Sequence, residues 1–258
     1  MSEHVRSEKS KGVLTLTLNR PDKKNALTRA MYQALGTAID QAEHDPEVRA
    51  VLLQAEGDMF TAGNDISDFA AVSSGQAAQP AVRENPLLVA LGRAKTPLIA
   101  AVHGRAVGVG VTLLLHCDLV YVAEGAQLST PFVNLALVPE AASSLQLPAR
   151  IGHARAFSMF VLGEVVDAQK AVAWGLANEV VAPGELRAKA RAAAEAVAAR
   201  PPAAVRKTKE LMRDPAALAA RMAVEGEHFA AQLQSAEARE AFAAFAERRQ
   251  PDFSKPPG

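Results

Sequence analysis

The chain predicts an α/β fold, and three observations carry that reading. Short apolar runs of strand length alternate with segments whose apolar residues recur at helical spacing. The links between them are short and carry Pro, Gly, Asn and Asp, the residues of turns. Strand, helix, strand with short connections is the pattern of a sheet covered by helices. The chain has 258 residues, so one large domain or two small ones both fit.

Val13, Thr15 and Thr17 alternate with Leu14, Leu16 and Leu18, which predicts a strand. Asn19-Arg20-Pro21-Asp22 ends it in a turn, and Lys23 and Lys24 follow. Thr28 is placed to cap a helix whose apolar face is Met31, Ala34, Leu35, Ala38, Ile39 and Ala42. Asp45-Pro46 stops it, and residues 49–54 read as a second strand. Residues 70–85 are small, polar and poorly periodic, which predicts a mobile loop or frayed helix. A helix is expected over 86–94.

Leu98–Val102 is an apolar run that suits a buried strand. Gly104, Gly108 and Gly110 then punctuate a turn, and residues 111–115 continue as an apolar helix. Glycines at a strand-to-helix turn let a ligand approach the backbone, and the free N–H groups of a helix start point at it. A further strand is expected at 119–122, and Pro139-Glu140 closes the stretch. Backbone donors and a carboxylate in apolar surroundings suit chemistry in which a negative oxygen forms and a proton moves. Beyond it, a helix begins at Ser143, with Pro148 and Gly152 breaking the pattern. Helices over 153–162 and 167–174, the latter capped by Asp167, lead to a last strand at 179–181. From Glu185 onward the chain reads as helix, jointed at Pro201-Pro202 and Asp214-Pro215. Leu218, Met222, Glu225, Phe229, Leu233, Phe242 and Phe245 form a stripe expected in a core or subunit interface.

Composition narrows the function. Lys+Arg and Asp+Glu are both 28 and aromatics are 5%, so nothing suggests a nucleic-acid binder. A local basic pocket for a phosphorylated ligand remains compatible with that balance. The single cysteine, Cys117, excludes an internal disulfide and a cysteine-rich zinc site, and is expected as a small core residue. His103 is expected to hold a turn; His116 has no HExxH or cysteine partner, so no metal site is expected. Ser129, Ser143 and Ser144 lack a G-x-S-x-G elbow, and Gly108-x-Gly110 lacks dinucleotide-binding spacing. No apolar run is long enough for a membrane helix, and no signal segment or organelle tripeptide is legible, so a cytoplasmic protein is expected.

Several segments in order resemble the crotonase (enoyl-CoA hydratase/isomerase) family: Asn19-Arg20-Pro21 with Asn25-Ala26-Leu27, Phe60-Thr61-Ala62-Gly63-Asn64-Asp65, residues 97–110 with Cys117-Asp118, Ala126-Gln127-Leu128, Asn134-Leu135, and Trp174-Gly175-Leu176-Ala177. The resemblance implies a spiral of ββα turns over 1–200 that binds an acyl-CoA thioester. It also implies a helical segment over 201–258 that serves assembly as a homotrimer or dimer of trimers. Coenzyme A would be part of the substrate, with no separate cofactor. The thioester oxygen would sit between the backbone N–H groups of Asn64 and Val109. Lys24, Ala26, Ala62, Asp65, Ile66, Gly108 and Phe132 are carried over as substrate-binding, although Asp65 also reads as holding its own turn.

The same resemblance separates reactions. Family hydratases use two glutamates to add water, and Thr112 and Phe132 stand at those positions. Glu140 stands where the Δ3,Δ2-enoyl-CoA isomerase type carries its acid. A 1,3 proton shift needs one base, so the expected activity is movement of a 3-enoyl double bond to trans-2. A hydratase or other crotonase reaction, and a non-catalytic acyl-CoA-binding protein, are the alternatives.

Overall fold

The computed structural model describes residues 3–66 and 85–254. The loop expected at 70–85 lies, apart from Asn85, outside the described residues. The main sheet has six strands: β1 (Val5–Ser10), β2 (Val13–Leu18), β3 (Ala50–Ala55), β4 (Leu98–Val102), β6 (Leu119–Ala123) and β9 (Glu179–Val181), in that spatial order. β1 pairs antiparallel with β2, and every later neighbour is parallel. Parallel pairing requires crossovers, which the helices supply. These are α1 (Arg29–His44) between β2 and β3, and α2 (Pro86–Arg93) ahead of β4.

Alternation along the strands loads both faces of this sheet. Leu16, Leu18, Val51, Leu53, Leu98 and Val102 face the larger core with Met31, Leu35 and Ile39 of α1 and Leu87 and Leu91 of α2. Val13, Ala50, Leu52, Ile99, Ala101 and Tyr121 face a second core closed by Leu186, Ala190 and Ala194. Those three side chains belong to a later helix, Leu186–Ala198. Burial on both faces explains why the central strands read as unbroken apolar runs.

A smaller sheet stacks β5 (Arg105–Val107), β7 (Gln127–Ser129) and β8 (Val166–Asp167). Each turn of the chain lays one strand in each sheet and then a helix: β4, β5 and α3 (Val109–Thr112), then β6, β7 and a 3-10 turn at Val133–Leu135. The registers stack Thr61 on Ala106 and Ala106 on Leu128. This is the ββα spiral expected from the resemblance. After it come α4 (Ser143–Ile151), α5 (His153–Phe157), a π-helical turn at Ser158–Leu162 and α6 (Ala168–Ala173). The helix Leu186–Ala198 is α7, followed by α8 (Pro202–Leu211), α9 (Pro215–Leu233) and α10 (Ala236–Glu247). Leu218, Met222, Phe229, Leu233 and Phe242 of α9 and α10 join the larger core. No described helix is long and apolar enough to cross a membrane.

Local chemistry sets the ends. Thr28 Oγ1 accepts from Met31 N (3.3 Å), Asp167 Oδ1 from Lys170 N (2.8 Å) and Asp214 Oδ1 from Ala217 N (2.9 Å). The structure differs from the sequence reading in four places. β1 forms from a polar segment, because pairing with β2 supplies its register. The helix expected at 111–115 starts at Val109 and tightens to a 3-10 turn over Leu113–His116. Pro148 lies inside α4, which runs on to Ile151 with Leu147 and Ile151 buried. The helix expected at 153–162 passes from α to π geometry at Ser158.

Candidate active site

The site is assembled by the turn after β2, and Asn25 is its hub. Asn25 is fully buried in a left-handed conformation (φ 53°). Its Nδ2 donates to Glu56 O (2.7 Å) and Met59 O (2.9 Å), while its Oδ1 accepts from Arg20 N (2.8 Å). Its carbonyl accepts from Thr61 Oγ1 (2.7 Å), which in turn accepts from Gly63 N (3.0 Å). Arg20 donates to Ala26 O (3.0 Å) and to Asp65 Oδ2 (2.7 Å). The turn carrying Lys24 and Ala26 and the strip 61–65 are thereby fixed side by side. Asp65 holds Arg20 and does not line the cavity described below.

Two main-chain donors near that junction are unengaged among the described residues. Leu27 bridges Asn64 in parallel, so Leu27 N donates to Gly63 O (2.8 Å) and Asp65 N to Leu27 O (3.0 Å). The N–H of Asn64 falls between them and makes no hydrogen bond among the described residues. Gly108 opens α3 with φ 56° and ψ −116°, a conformation that only glycine adopts readily. Its carbonyl accepts from Val111 N (2.9 Å) and Thr112 N (3.1 Å), which leaves Val109 N, the first of the helix, without an intrahelical partner. A Cβ on Gly108 would meet no atom within 4 Å, because the residue faces open space. At Gly63 (φ 94°) a Cβ would lie 2.8 Å from Val107 O, so the approach of the two strips requires glycine.

The open space is a cavity of about 1030 Å³. Ala26, Ala62, Asn64, Ile66 and Gly108 line one side, with Lys23 and Lys24. Phe132, Leu135, Leu137 and Val161 line another, and Phe229, Ala241, Phe245 and Phe253 bring the C-terminal segment onto the wall. Of the substrate-binding residues expected from sequence, Lys24, Ala26, Ala62, Ile66, Gly108 and Phe132 stand on this wall. Lys24 also pairs with the exposed Asp58. Phe132 packs against Phe160 with ring centroids 6.1 Å apart. The side chain of Val109 is fully buried in the core and does not reach the wall.

Glu140 is buried, with 8% of its surface exposed. It does not line the cavity itself, but it interacts with Asn64, which does. The Tyr32 hydroxyl donates to Asn64 Oδ1, which fixes the orientation of that amide. Glu140 Oε1 has no hydrogen-bond partner among the described residues. Burial, and then the nearby Glu225 carboxylate, push the Glu140 carboxyl up to about 7, against the weaker pull of the Asn64 hydrogen bond. Burial and the Glu140 charge push the Tyr32 phenol up as well. Thr112 is fully buried, and its hydroxyl turns back to Val109 O (3.4 Å).

Three contributors escaped the sequence reading. Tyr32 lies on the buried face of α1 beside Met31, and its hydroxyl was the available signal. Glu225 was visible as a carboxylate within an otherwise apolar stripe. His116 donates through Nε2 to Ala141 O (2.8 Å) and accepts at Nδ1 from Arg213 (2.9 Å); burial and that guanidinium hold it down at about 3. The other sequence expectations for these types stand in the structure: His103 contacts Gly57 O (3.0 Å), and Cys117 is buried with its thiol pushed up to about 12. Among the described residues no cluster of His, Cys, Asp and Glu could hold a metal ion.

A two-sheet spiral with a buried acid beside a large apolar cavity defines an enzyme of the crotonase fold. Residues 8–256 match the enoyl-CoA hydratase/isomerase family, and the chain belongs to that family. It is 32% identical to 1,2-epoxyphenylacetyl-CoA isomerase of Escherichia coli over 98% of this chain and 99% of that protein. It is 37% identical to enoyl-CoA delta isomerase 2 of Rattus norvegicus, over 78% of this chain and 52% of that protein. Among solved structures, an enoyl-CoA hydratase/isomerase from Pseudoalteromonas atlantica superposes with a TM-score of 0.91 at 42% identity, covering 98% of this chain and 100% of the other. Pseudomonas aeruginosa OdaA superposes with a TM-score of 0.88 at 46% identity, over 95% of this chain and 99% of the other. The protein is therefore an acyl-CoA enzyme of the hydratase/isomerase type.

Proposed function

We propose that the protein moves the double bond of a 3-enoyl-CoA to the trans-2 position, with Glu140 as base and then acid. One observation carries this reading. Among the described residues the cavity wall holds no carboxylate, and Glu140 is the buried acid coupled electrostatically to Asn64 on that wall. Glu140 takes a proton from C2, and the charge spreads through a dienolate onto the thioester oxygen. The N–H groups of Asn64 and Val109 receive that oxygen, each worth about 2.7–4 kcal/mol in the transition state. Protonated Glu140 then returns the proton at C4. A carboxyl near 7 suits both steps, since neither its acid nor its base form is scarce at neutral pH.

Water addition fits less well. It needs a carboxylate to orient and deprotonate water, and Thr112 is turned to the backbone while Phe132 is packed on Phe160. Lys23 and Lys24 suit the phosphates of coenzyme A, which enters as part of the substrate. The same proposal places the enzyme in the cytoplasm, in fatty-acid breakdown, as a homotrimer or dimer of trimers. The exposed Phe157, Leu162 and Val165 offer apolar surface for such assembly, and light scattering of the purified protein measures its mass.

The test is a panel of 2- and 3-enoyl-CoA substrates with wild type and Glu140→Gln. Isomerisation of 3-enoyl-CoA lost by at least 1000-fold in the variant, with thioester binding intact, is the expected result. Hydration faster than isomerisation in wild type, or full activity in Glu140→Gln, overturns the reading.

A further inference from the structure

The turn that presents Glu140 is conformationally expensive. Ala141 (φ 61°) and Ala142 (φ 57°) are consecutive left-handed residues, neither of them glycine. Each such residue costs on the order of 1 kcal/mol, so the surroundings must hold the pair in place. Ala142 is the N-cap of α4 and has no side chain with which to cap it. The cap comes instead from α9, some eighty residues on. Glu225 Oε2 accepts from Ala142 N (2.6 Å), and Glu225 Oε1 accepts from Ser144 N (2.8 Å). Both carboxylate oxygens are used on the two amides that flank the start of the helix. From the other side, His116 holds the Ala141 carbonyl.

We propose that Glu225 is a positioning residue for the proton-transfer step: its buried carboxylate clamps, through two main-chain amides, the left-handed turn that carries Glu140. The same carboxylate adds to the effect of burial by placing a negative charge near Glu140. This rests on Glu140 being the acid–base group. Among the described residues the charged and titratable groups around the pair are few. Tyr32 faces Glu140 from α1, and Glu225 faces it from α9. Arg221 acts on Glu225 from its own helix, opposed by burial. His116, backed by Arg213, stays neutral in the working range and contributes a hydrogen bond without titrating. Removing the Glu225 charge therefore removes the one anion among the described residues that raises the proton affinity of Glu140. Shortening the side chain keeps the charge but breaks the two-amide grip.

Two variants separate the effects, assayed with 3-enoyl-CoA in the full-length enzyme. Glu225→Gln removes the charge and one of the two acceptors, and it shifts the acidic limb of kcat/KM to lower pH by about 1 unit, a displacement that loss of the clamp alone would not produce. Glu225→Asp leaves that limb in place and lowers kcat about 10–100-fold with KM little changed, as expected of a displaced base. A purely structural role would lower thermal stability in both and move neither the limb nor the kcat-to-KM split. An unmoved limb in folded Glu225→Gln, or wild-type kcat in Glu225→Asp, overturns the proposal. If Glu225→Gln does not fold, Glu225→Asp alone decides it. Glu140→Gln run in parallel keeps the two readings apart: its full activity would remove the isomerase mechanism, whereas its inactivity beside unaltered Glu225 variants would remove this inference alone.

Discussion

Replacing Glu140 by glutamine should make the protein more stable in alkali while destroying its chemistry. The carboxyl is held at about 7 in the fold against an ordinary value of 4.5. Below 4.5 both folded and unfolded chains carry the proton, and the group contributes no difference. Between 4.5 and 7 the unfolded chain ionises first, so the folded state loses ground as pH rises. Above 7 both are ionised, and the full penalty stands, about 3 kcal/mol at 1.36 kcal/mol per pK unit. Glutamine is neutral throughout and close to the same size. Its amide nitrogen would take the place of Oε1, which has no partner among the described residues, so no new orphan is created. The variant should match wild type near pH 4.5 and exceed it by about 3 kcal/mol near pH 8.5, or roughly 6–12 °C in Tm. Urea or thermal unfolding of both proteins across that pH range measures it. Equal stabilities at pH 8.5, or a gap that widens toward acid, would refute the reasoning.

Two further substitutions probe the neighbours. Tyr32→Phe removes the hydrogen bond that orients the Asn64 amide; kcat should fall about tenfold, the equivalent of one such bond, and steady-state kinetics at saturating substrate will show it. Gly108→Ala meets no protein atom but forces an alanine to φ 56° and projects a methyl into the cavity. Urea unfolding should report a loss of about 1–3 kcal/mol, and kcat/KM should drop by more than that loss explains.

The sequence made the parallel core legible because β2, β4 and β6 are buried and therefore written in apolar residues. It also exposed the glycine turn and the cap of α1, whose signals are local. β5, β7 and β8 were not legible. They are two or three residues long and exist only because neighbouring turns of the spiral align them. Within the site, the short-range marks at Asn25-Ala26 and at Gly63-Asn64 could be read directly. The contacts of Tyr32, His116 and Glu225 could not, because each joins elements distant in the chain. Pro148 misled for the opposite reason: a local breaker was overruled by the burial of Leu147 and Ile151 on either side of it.

Phe253, Pro251 and Arg249 form part of the cavity wall close to the carboxyl end of the chain. Anyone purifying the enzyme should therefore fuse an affinity tag to the amino end. A tag appended after Gly258 begins five residues beyond a wall residue, so a sluggish preparation would then say more about the handle than about the catalyst.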